Sequence, residues 1–537
     1  MKLWALTGCA APDRGRSLAK RRGWLQQKAQ DSRSPHPMQS VPVSVDRSSS
    51  EPLQRQLRRG LIAAIHEGTL QPGQKILSSR ALAEKLGIAR NTATAVYDEL
   101  IARGYLESLP RRGCFVAARG RSAERPAGLK TVVDWDARMA VHPSRLNHIR
   151  KPQNWHDYPY PFIFGQVDRQ LFPLNAWRES SRDTLGRAAL DWWSADRAVD
   201  DDPMLIEQIR SRILPECGIY ARPEEILITL GAQEGFYLLA QLLAGPGRRV
   251  GCEMPGYPDS RFIFELTGAE SVPLPVDERG ARISPGSNLD LAILTPGAQC
   301  PTMTVMPGGR RDEILARAAQ DDFLIVEDDH EGLVSFSGEP SLKSRDRDGR
   351  VIYLGTLSKV LAPGVRLGFM IAPEPLVTEA RWLRRLVHRS VPLNNQRTAA
   401  IFLAEGHFLA LIRKLRAAHA DRWYRVIEHL PELLPGFRTP DPCNGGASVW
   451  LECPEGVDAR VLNRVALEAG VLFESGDPFV PPEQAGRYLR LGLSLIQTEA
   501  IVPGMRKLGE LAAELAAAGP GPIESAELAQ SLLQRSG

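Results

Sequence analysis

Beyond about residue 158, one alternation constrains the chain most. Short apolar runs at 226–229, 291–294, 323–326, 351–354 and 367–371 take turns with stretches of helical period such as 233–243 and 310–319. Strands that are apolar on both faces need cover on both, and crossover helices supply it. The pattern predicts an α/β domain with a largely parallel sheet, whose ligand-binding residues gather at the C-terminal ends of the strands.

The 537 residues exceed one ordinary core, so several domains are expected. A hydrophobic content of 43% with 24% charged residues belongs to a globular chain and excludes a mainly disordered, collagenous or coiled-coil one. No apolar run approaches the ~18 residues of a membrane helix, so no membrane partner is expected. The cysteines at 9, 114, 217, 252, 300, 443 and 453 form no C-x-x-C pair. That argues against a disulfide framework or a zinc ribbon; no metal site is expected, and the usage fits a cytoplasmic protein.

Charge is uneven. Residues 1–130 hold 23 Lys and Arg against 10 Asp and Glu, whereas the remainder holds 44 against 53. A basic front on an acidic body points to a polyanion as the front's partner, although a solvated basic tail would have the same composition. Residues 1–40, rich in Arg, Ser and Gln and without periodicity, are expected to form a disordered extension. Leu6-Thr7-Gly8-Cys9 resembles a lipoprotein cleavage site, but its apolar lead of about four residues falls short of the 7–15 that export needs. A start at Met38 would remove this extension and leave the rest intact.

Residues 41–117 read as a small, mostly α domain. Leu53, Leu57, Leu61, Ile62 and Ile65 keep the rhythm of one buried helical face, which Gly68 and Pro72-Gly73 end. A short helix over 80–86, a turn at Gly87-Ile88 and a second helix over 91–103 follow, the latter expected to bury Ala95, Val96, Leu100 and Ile101. Leu109-Pro110-Arg111-Arg112-Gly113-Cys114-Phe115-Val116 then makes a hairpin with a basic tip. Helix, helix, turn, helix and basic wing is the plan of a winged helix-turn-helix. The pieces Gly68-Thr69-Leu70-Gln71-Pro72-Gly73, Ser78-Ser79-Arg80-Ala81-Leu82-Ala83, Leu86-Gly87-Ile88-Ala89-Arg90-Asn91-Thr92 and Leu100-Ile101-Ala102-Arg103-Gly104-Tyr105-Leu106, in that order, resemble the DNA-binding domain of GntR-type regulators. Arg90, Asn91 and Thr92 open the second helix, where side chains and backbone N–H groups can meet base edges and phosphates. Arg80 opens the helix before it, and Arg112 sits at the wing tip. These five are the candidate contacts to a double-stranded DNA operator.

Residues 118–157, with Arg119, Arg121, Arg125 and three prolines but no sustained period, are expected to be an interdomain linker. The large domain then occupies 158–512. Residues 513–537, Ala-rich and broken by Gly519-Pro520-Gly521-Pro522, read as a C-terminal tail.

Three strand ends of the large domain carry chemistry. The run 226–230 enters Gly231-Ala232-Gln233 and a helix at once, and a tight turn at a helix N-terminus offers N–H groups to an anion. The run 323–326 ends in Glu327-Asp328-Asp329-His330. The run 351–354 ends in Gly355-Thr356-Leu357-Ser358-Lys359. After residue 151 the only lysines are Lys343, Lys359, Lys414 and Lys507, and Lys359 alone stands at the end of an apolar strand. A partly buried lysine has a lowered pKa and can attack a carbonyl, though a lysine can also merely cap a sheet edge.

The segment Tyr353-Leu354-Gly355-Thr356-Leu357-Ser358-Lys359-Val360-Leu361-Ala362-Pro363-Gly364-Val365-Arg366-Leu367-Gly368, with Arg487-Tyr488-Leu489-Arg490-Leu491-Gly492-Leu493-Ser494, resembles fold type I, pyridoxal-phosphate-dependent aminotransferases. Joined to the GntR-type front, the whole resembles the MocR subfamily of transcriptional regulators. The resemblance implies a multidomain chain: a winged helix-turn-helix, a large α/β PLP-dependent transferase fold, and a small C-terminal α/β subdomain from Gly445 to Ser494. It implies pyridoxal 5'-phosphate as cofactor, with Lys359 forming the internal aldimine and Asp328 pairing with the pyridine nitrogen. Tyr257, in Glu253-Met254-Pro255-Gly256-Tyr257-Pro258, would stack on the ring. The backbone of Ala232 and Gln233, with Thr356 and Arg366, would hold the phosphate, and Arg490 would take an effector's carboxylate.

Two positions depart from the family pattern. His330 stands where a tyrosine commonly bonds the cofactor's phenolic oxygen, and an imidazole there is expected to titrate near neutral pH. Cys300, in Thr295-Pro296-Gly297-Ala298-Gln299-Cys300-Pro301-Thr302, stands where the enzymes carry Asn, and a thiol is a poorer donor. The expectation is a regulator that senses an amino-acid or amine effector by aldimine exchange at Lys359, and the resemblance implies a head-to-tail homodimer. Its rivals are a working aminotransferase with a DNA-binding appendage, and a cofactor-free dimerisation scaffold.

Overall fold

The structure, a computed structural model, describes residues 43–49, 51–117, 133–335, 338–440 and 445–518. The expected extension at 1–40, the Leu6–Cys9 motif, linker residues 118–132 and tail residues 519–537 lie outside the described residues. The chain divides into two compact units, one ending at Arg138 and the other beginning at Met139.

The first unit holds helices Leu53–His66, Ser79–Leu86 and Arg90–Ala102 and a hairpin of Leu106–Leu109 and Gly113–Val116. Ser78 caps the second helix by accepting from the Ala81 N–H, and Gly87 closes it in the left-handed region at φ +64°. The core joins Leu57, Leu61, Leu82, Val96 and Leu100 under the wing residues Leu106 and Val116. The third helix departs from the expected face. Ala93, Val96, Tyr97 and Leu100 are buried, whereas Ala95 is exposed and Ile101 half-buried. Tyr97 explains the rotation: its ring enters the core and its hydroxyl donates to the Leu77 carbonyl at 2.7 Å.

In the second unit the main sheet has eight strands. Their order is Ile226–Thr229, Gly368–Ile371, Val351–Thr356, Leu324–Asp329, Leu291–Leu294, Arg249–Met254, Glu270–Asp277 and Gly280–Ala281. The five from Val351–Thr356 to Glu270–Asp277 are parallel, and Gly368–Ile371 runs antiparallel to both its neighbours. Helices including Ala232–Leu243 and Gly308–Asp321 cover it, with apolar clusters on its two faces. A small three-stranded sheet, ordered Ser448–Glu452, Tyr488–Gly492 and Glu474–Ser475, has its own core with helices Ala459–Glu468 and Thr498–Ala518. That last helix runs beyond residue 512, and Leu515 is buried in the same core. Between Met139 and Asp157 the backbone makes two short 3₁₀ turns, Pro143–Arg145 and Trp155–Asp157.

Candidate functional site

The parallel strands deliver their C-terminal ends to one side of the sheet, and a cavity of about 290 Å³ opens there. Lys359, Asp328, Tyr257, Ala232, Gln233, Thr356, Arg366, His330 and Arg490 all line it, as does Cys300. Lys151, Phe164, Gly165 and Asp259, which no sequence signal singled out, line it too, as does Ser358 beside the lysine. Lys151 and Phe164 lie outside helices and strands, on either side of the 3₁₀ turn Trp155–Asp157 and the two-residue strand Tyr160–Pro161, far from the main-sheet strand ends in sequence.

Lys359 follows strand Val351–Thr356. Its Nζ lies 4.3 Å from the Phe164 ring centroid, over an aromatic face that attracts cations. Gly165 is required here: its φ is +74°, and a Cβ would come within 2.8 Å of the Lys359 Nζ. Burial, and then the charge of Lys151, bring the Lys359 amine down to about 8. Asp328, near the end of the adjacent strand, is buried and pushed up to about 7 by desolvation and by Asp329. Its Oδ1 has no hydrogen-bond partner among the described residues. The same holds for His330 Nε2. The expectation that His330 titrates near neutrality does not stand, because burial, with Lys359 and Arg490 nearby, lowers it to about 3. The imidazole is neutral at physiological pH.

At the other end of the cavity, Gly231 precedes helix Ala232–Leu243 at φ +85°, a conformation that suits glycine. A Cβ there would stand 3.2 Å from Arg366 Nη2. The first-turn N–H groups of that helix have no intrahelical acceptor and face the cavity beside the Arg366 guanidinium and Thr356. Arg366 Nη2 donates to the Leu230 carbonyl at 2.5 Å, which fixes the guanidinium. The Gln233 side chain donates to the Tyr257 hydroxyl at 3.1 Å and to Asp259 Oδ2 at 2.9 Å, steadying the phenol. Behind Tyr257, the buried Glu253 carboxyl bonds the Thr295 hydroxyl, the Thr295 N–H at 3.1 Å and Gln299 Nε2 at 3.2 Å. Thr295 Oγ1 in turn accepts from the Cys300 N–H at 3.1 Å, which sets the loop that carries the thiol.

Arg490 sits on the small sheet with 2% exposure. Its guanidinium lies 4.5 Å from the Phe164 centroid and 4.6 Å from that of Phe479. Nη1 donates to Cys300 Sγ at 3.8 Å. The thiol, pushed up to about 12 by burial, stays protonated and serves as acceptor.

On the first unit, Arg80, Arg90, Asn91 and Arg112 are exposed and Thr92 is half-buried. Arg90, Asn91 and Thr92 form the first turn of helix Arg90–Ala102, and Arg112 lies in the turn of the hairpin. Lys75 joins the wing by a bridge to Phe115, and exposed Arg111 holds the tip at φ +62°. Both add cations to a face that the sequence had credited to Arg112 alone.

The model of the gntR family of bacterial regulatory proteins matches residues 53–116, and that of class I and II aminotransferases matches 197–493. The HTH-type transcriptional regulator TauR of Rhodobacter capsulatus is 40% identical over 466 residues, covering 85% of this chain and 96% of that one. The probable rhizopine catabolism regulatory protein MocR of Rhizobium meliloti is 30% identical, covering 90% and 99%. Among solved structures, LysN, an α-aminoadipate aminotransferase of Thermus thermophilus, superposes with a TM-score of 0.64 at 26% identity, covering 72% of this chain and all of that one. A DNA-binding helix-turn-helix joined to an aminotransferase fold, matched nearly end to end by regulators, places the chain in the MocR-type group of the GntR family of transcriptional regulators.

Proposed function

We propose that this regulator binds pyridoxal 5'-phosphate at Lys359 and uses it to sense a small amine or amino acid. The observation that carries the reading is the gathering of a pKa-lowered lysine, an unpartnered buried carboxylate, an unpartnered imidazole nitrogen and an open helix N-terminus in one cavity. Those groups fit the cofactor's parts one by one. Asp328 would face the ring nitrogen and Tyr257 the ring. The N–H groups of Ala232 and Gln233, with Thr356 and Arg366, would hold the phosphate. His330 Nε2 would meet the phenolic oxygen.

The cofactor supplies an aldehyde carbon with which a primary amine condenses. Lys359, brought down to about 8, has a usable fraction of free amine at neutral pH and would hold that carbon until an effector's amine took its place. Arg490 orients an effector that carries a carboxylate. Phe164 covers one side of the lysine amine. The effector then shifts the affinity of Arg80, Arg90, Asn91, Thr92 and Arg112 for operator DNA through its unequal affinity for the two arrangements of the protein. The working form is a head-to-tail homodimer in the cytoplasm; among the described residues no helix is long and apolar enough to cross a membrane.

The test is the visible absorption spectrum of the full chain with pyridoxal 5'-phosphate, beside Lys359→Ala. A band in the parent that the variant lacks, and that moves on adding amines, is the expected result. A colourless parent ends the reading. Steady production of 2-oxo acid by the same sample would favour a working aminotransferase instead.

A further inference from the structure

Arg490 does not wait alone for an anion. It lies directly across the antiparallel pair from Glu474. The Glu474 carboxylate takes Nε at 2.6 Å and Nη2 at 2.5 Å, which occupies one two-donor edge of the guanidinium. Its second oxygen lies 3.0 Å from Lys151 Nζ. Lys151 also donates to the Phe164 carbonyl. Burial alone would raise the Glu474 carboxyl, but Arg490 and Lys151 outweigh it and hold the group below its ordinary value. One carboxylate therefore serves two cations, and these three groups, Glu474, Arg490 and Lys151, together carry a net positive charge.

Both cations line the cavity. Glu474 itself is 4% exposed, while the Lys151 side chain keeps 24% of its surface accessible. An ammonium has three donors; one meets the Phe164 carbonyl, while the contact with Glu474 is an ion pair, so donor capacity remains for a ligand. The Lys359 amine and the Arg490 guanidinium lie 4.3 and 4.5 Å from the Phe164 ring centroid, so the amine-reacting end and the cationic end share one ring. Lys151 and Phe164 both precede residues 197–493, the stretch matched by the aminotransferase family, so this chain adds the second cation from outside that stretch.

We propose that Lys151 is a specificity-determining residue of the effector site: with Arg490 it forms a two-cation receptor for an oxyanion on an amine-bearing effector, and Glu474 holds the two cations together until that anion arrives. This rests on the cofactor-and-effector reading and names the effector class within it, a short primary amine with a carboxylate or other oxyanion at its far end. Without Lys151, Glu474 would neutralise Arg490 alone and little net charge would face the ligand.

The experiment uses the full chain as parent, Lys151→Met, Lys151→Gln and Lys151→Arg. Two arms are run at low ionic strength: propionate binding by calorimetry without added cofactor, and titration of the cofactor-loaded protein with β-alanine and with n-propylamine, followed by the visible spectrum. Expected is a loss of about tenfold or more in propionate affinity for the Met and Gln variants, with a like loss for β-alanine, little change for n-propylamine, and recovery in Lys151→Arg. Equal affinity of parent and Met variant for propionate overturns the proposal, as does a parent that binds no propionate. So does a loss for n-propylamine as large as that for β-alanine, since that is damage to the fold. A parent that binds propionate through Lys151 yet gives no visible band with the cofactor supports the anion receptor while ending the cofactor reading.

Discussion

The winged helix and the cavity at the strand ends both present cations, and they hold them in opposite ways. Arg80, Arg90 and Arg112 stand in solvent. Lys359, Arg490 and Lys151 are packed around Phe164 and share the carboxylates Glu331 and Glu474. Solvated charges act nearly independently and fade with salt, whereas enclosed ones set each other's protonation and cannot be changed singly. The surface can therefore be tuned residue by residue, while the cavity responds as a group.

Substitutions can break that contrast or sharpen it. The largest effect is expected from Lys359→Ala, which should abolish both the cofactor band and any response of DNA binding to amines, while leaving DNA affinity without effector unchanged; spectra and fluorescence anisotropy on one sample check both. Next comes Leu100→Ala in the winged-helix core, at 0% exposure in the parent. Removing that side chain should cost about 2–5 kcal/mol, read as a lower urea midpoint for the first unit with the cofactor band retained. A third effect concerns His330. Its folded pKa of about 3 lies below the ordinary 6.5, so between those values the unfolded chain takes a proton that the folded chain refuses. Stability should therefore fall as pH drops through that window, by about 2 kcal/mol at pH 5 from this group, and His330→Phe should flatten the slope in urea melts at pH 7 and pH 5. The smallest is Arg90→Ala. It should weaken binding to a duplex selected from a random pool by roughly tenfold and lower the salt slope by about one, with the cofactor spectrum unmoved. A spectrum altered by Arg90→Ala would show that the two regions are less separable than their charges suggest.

What was legible follows from the same contrast. The winged helix is built from local signals, a capping serine, a left-handed glycine and helical stripes, and these read directly from Ser78, Gly87 and Leu57–Leu61. The error at Ala95 arose because alanine fits either face, so the phase of that helix was set by Tyr97, whose hydroxyl needed a partner. In the cavity, Lys359 and Asp328 were legible because each follows an apolar run, and Arg366 because it lies in the family-like segment 353–368. Glu474 was not, since its meaning lies in the strand register that puts it opposite Arg490. Lys151 escaped for another reason: lysine scarcity was informative only beyond residue 151, and nothing in its own neighbourhood resembles a strand end. His330 looked like a near-neutral titrating group because its type is visible in the sequence and its burial is not.

Ile149 and Lys151 form part of the cavity wall although they precede the matched aminotransferase stretch by more than a helix length. The unit of exchange in this protein is therefore not the one that family boundaries suggest. A chimera that grafts a foreign DNA-binding front onto this aminotransferase-like unit must be joined upstream of His148, whose ring bonds Asp259 at 3.1 Å. A joint placed nearer residue 197 would carry away one wall of the cavity with the domain it meant to replace.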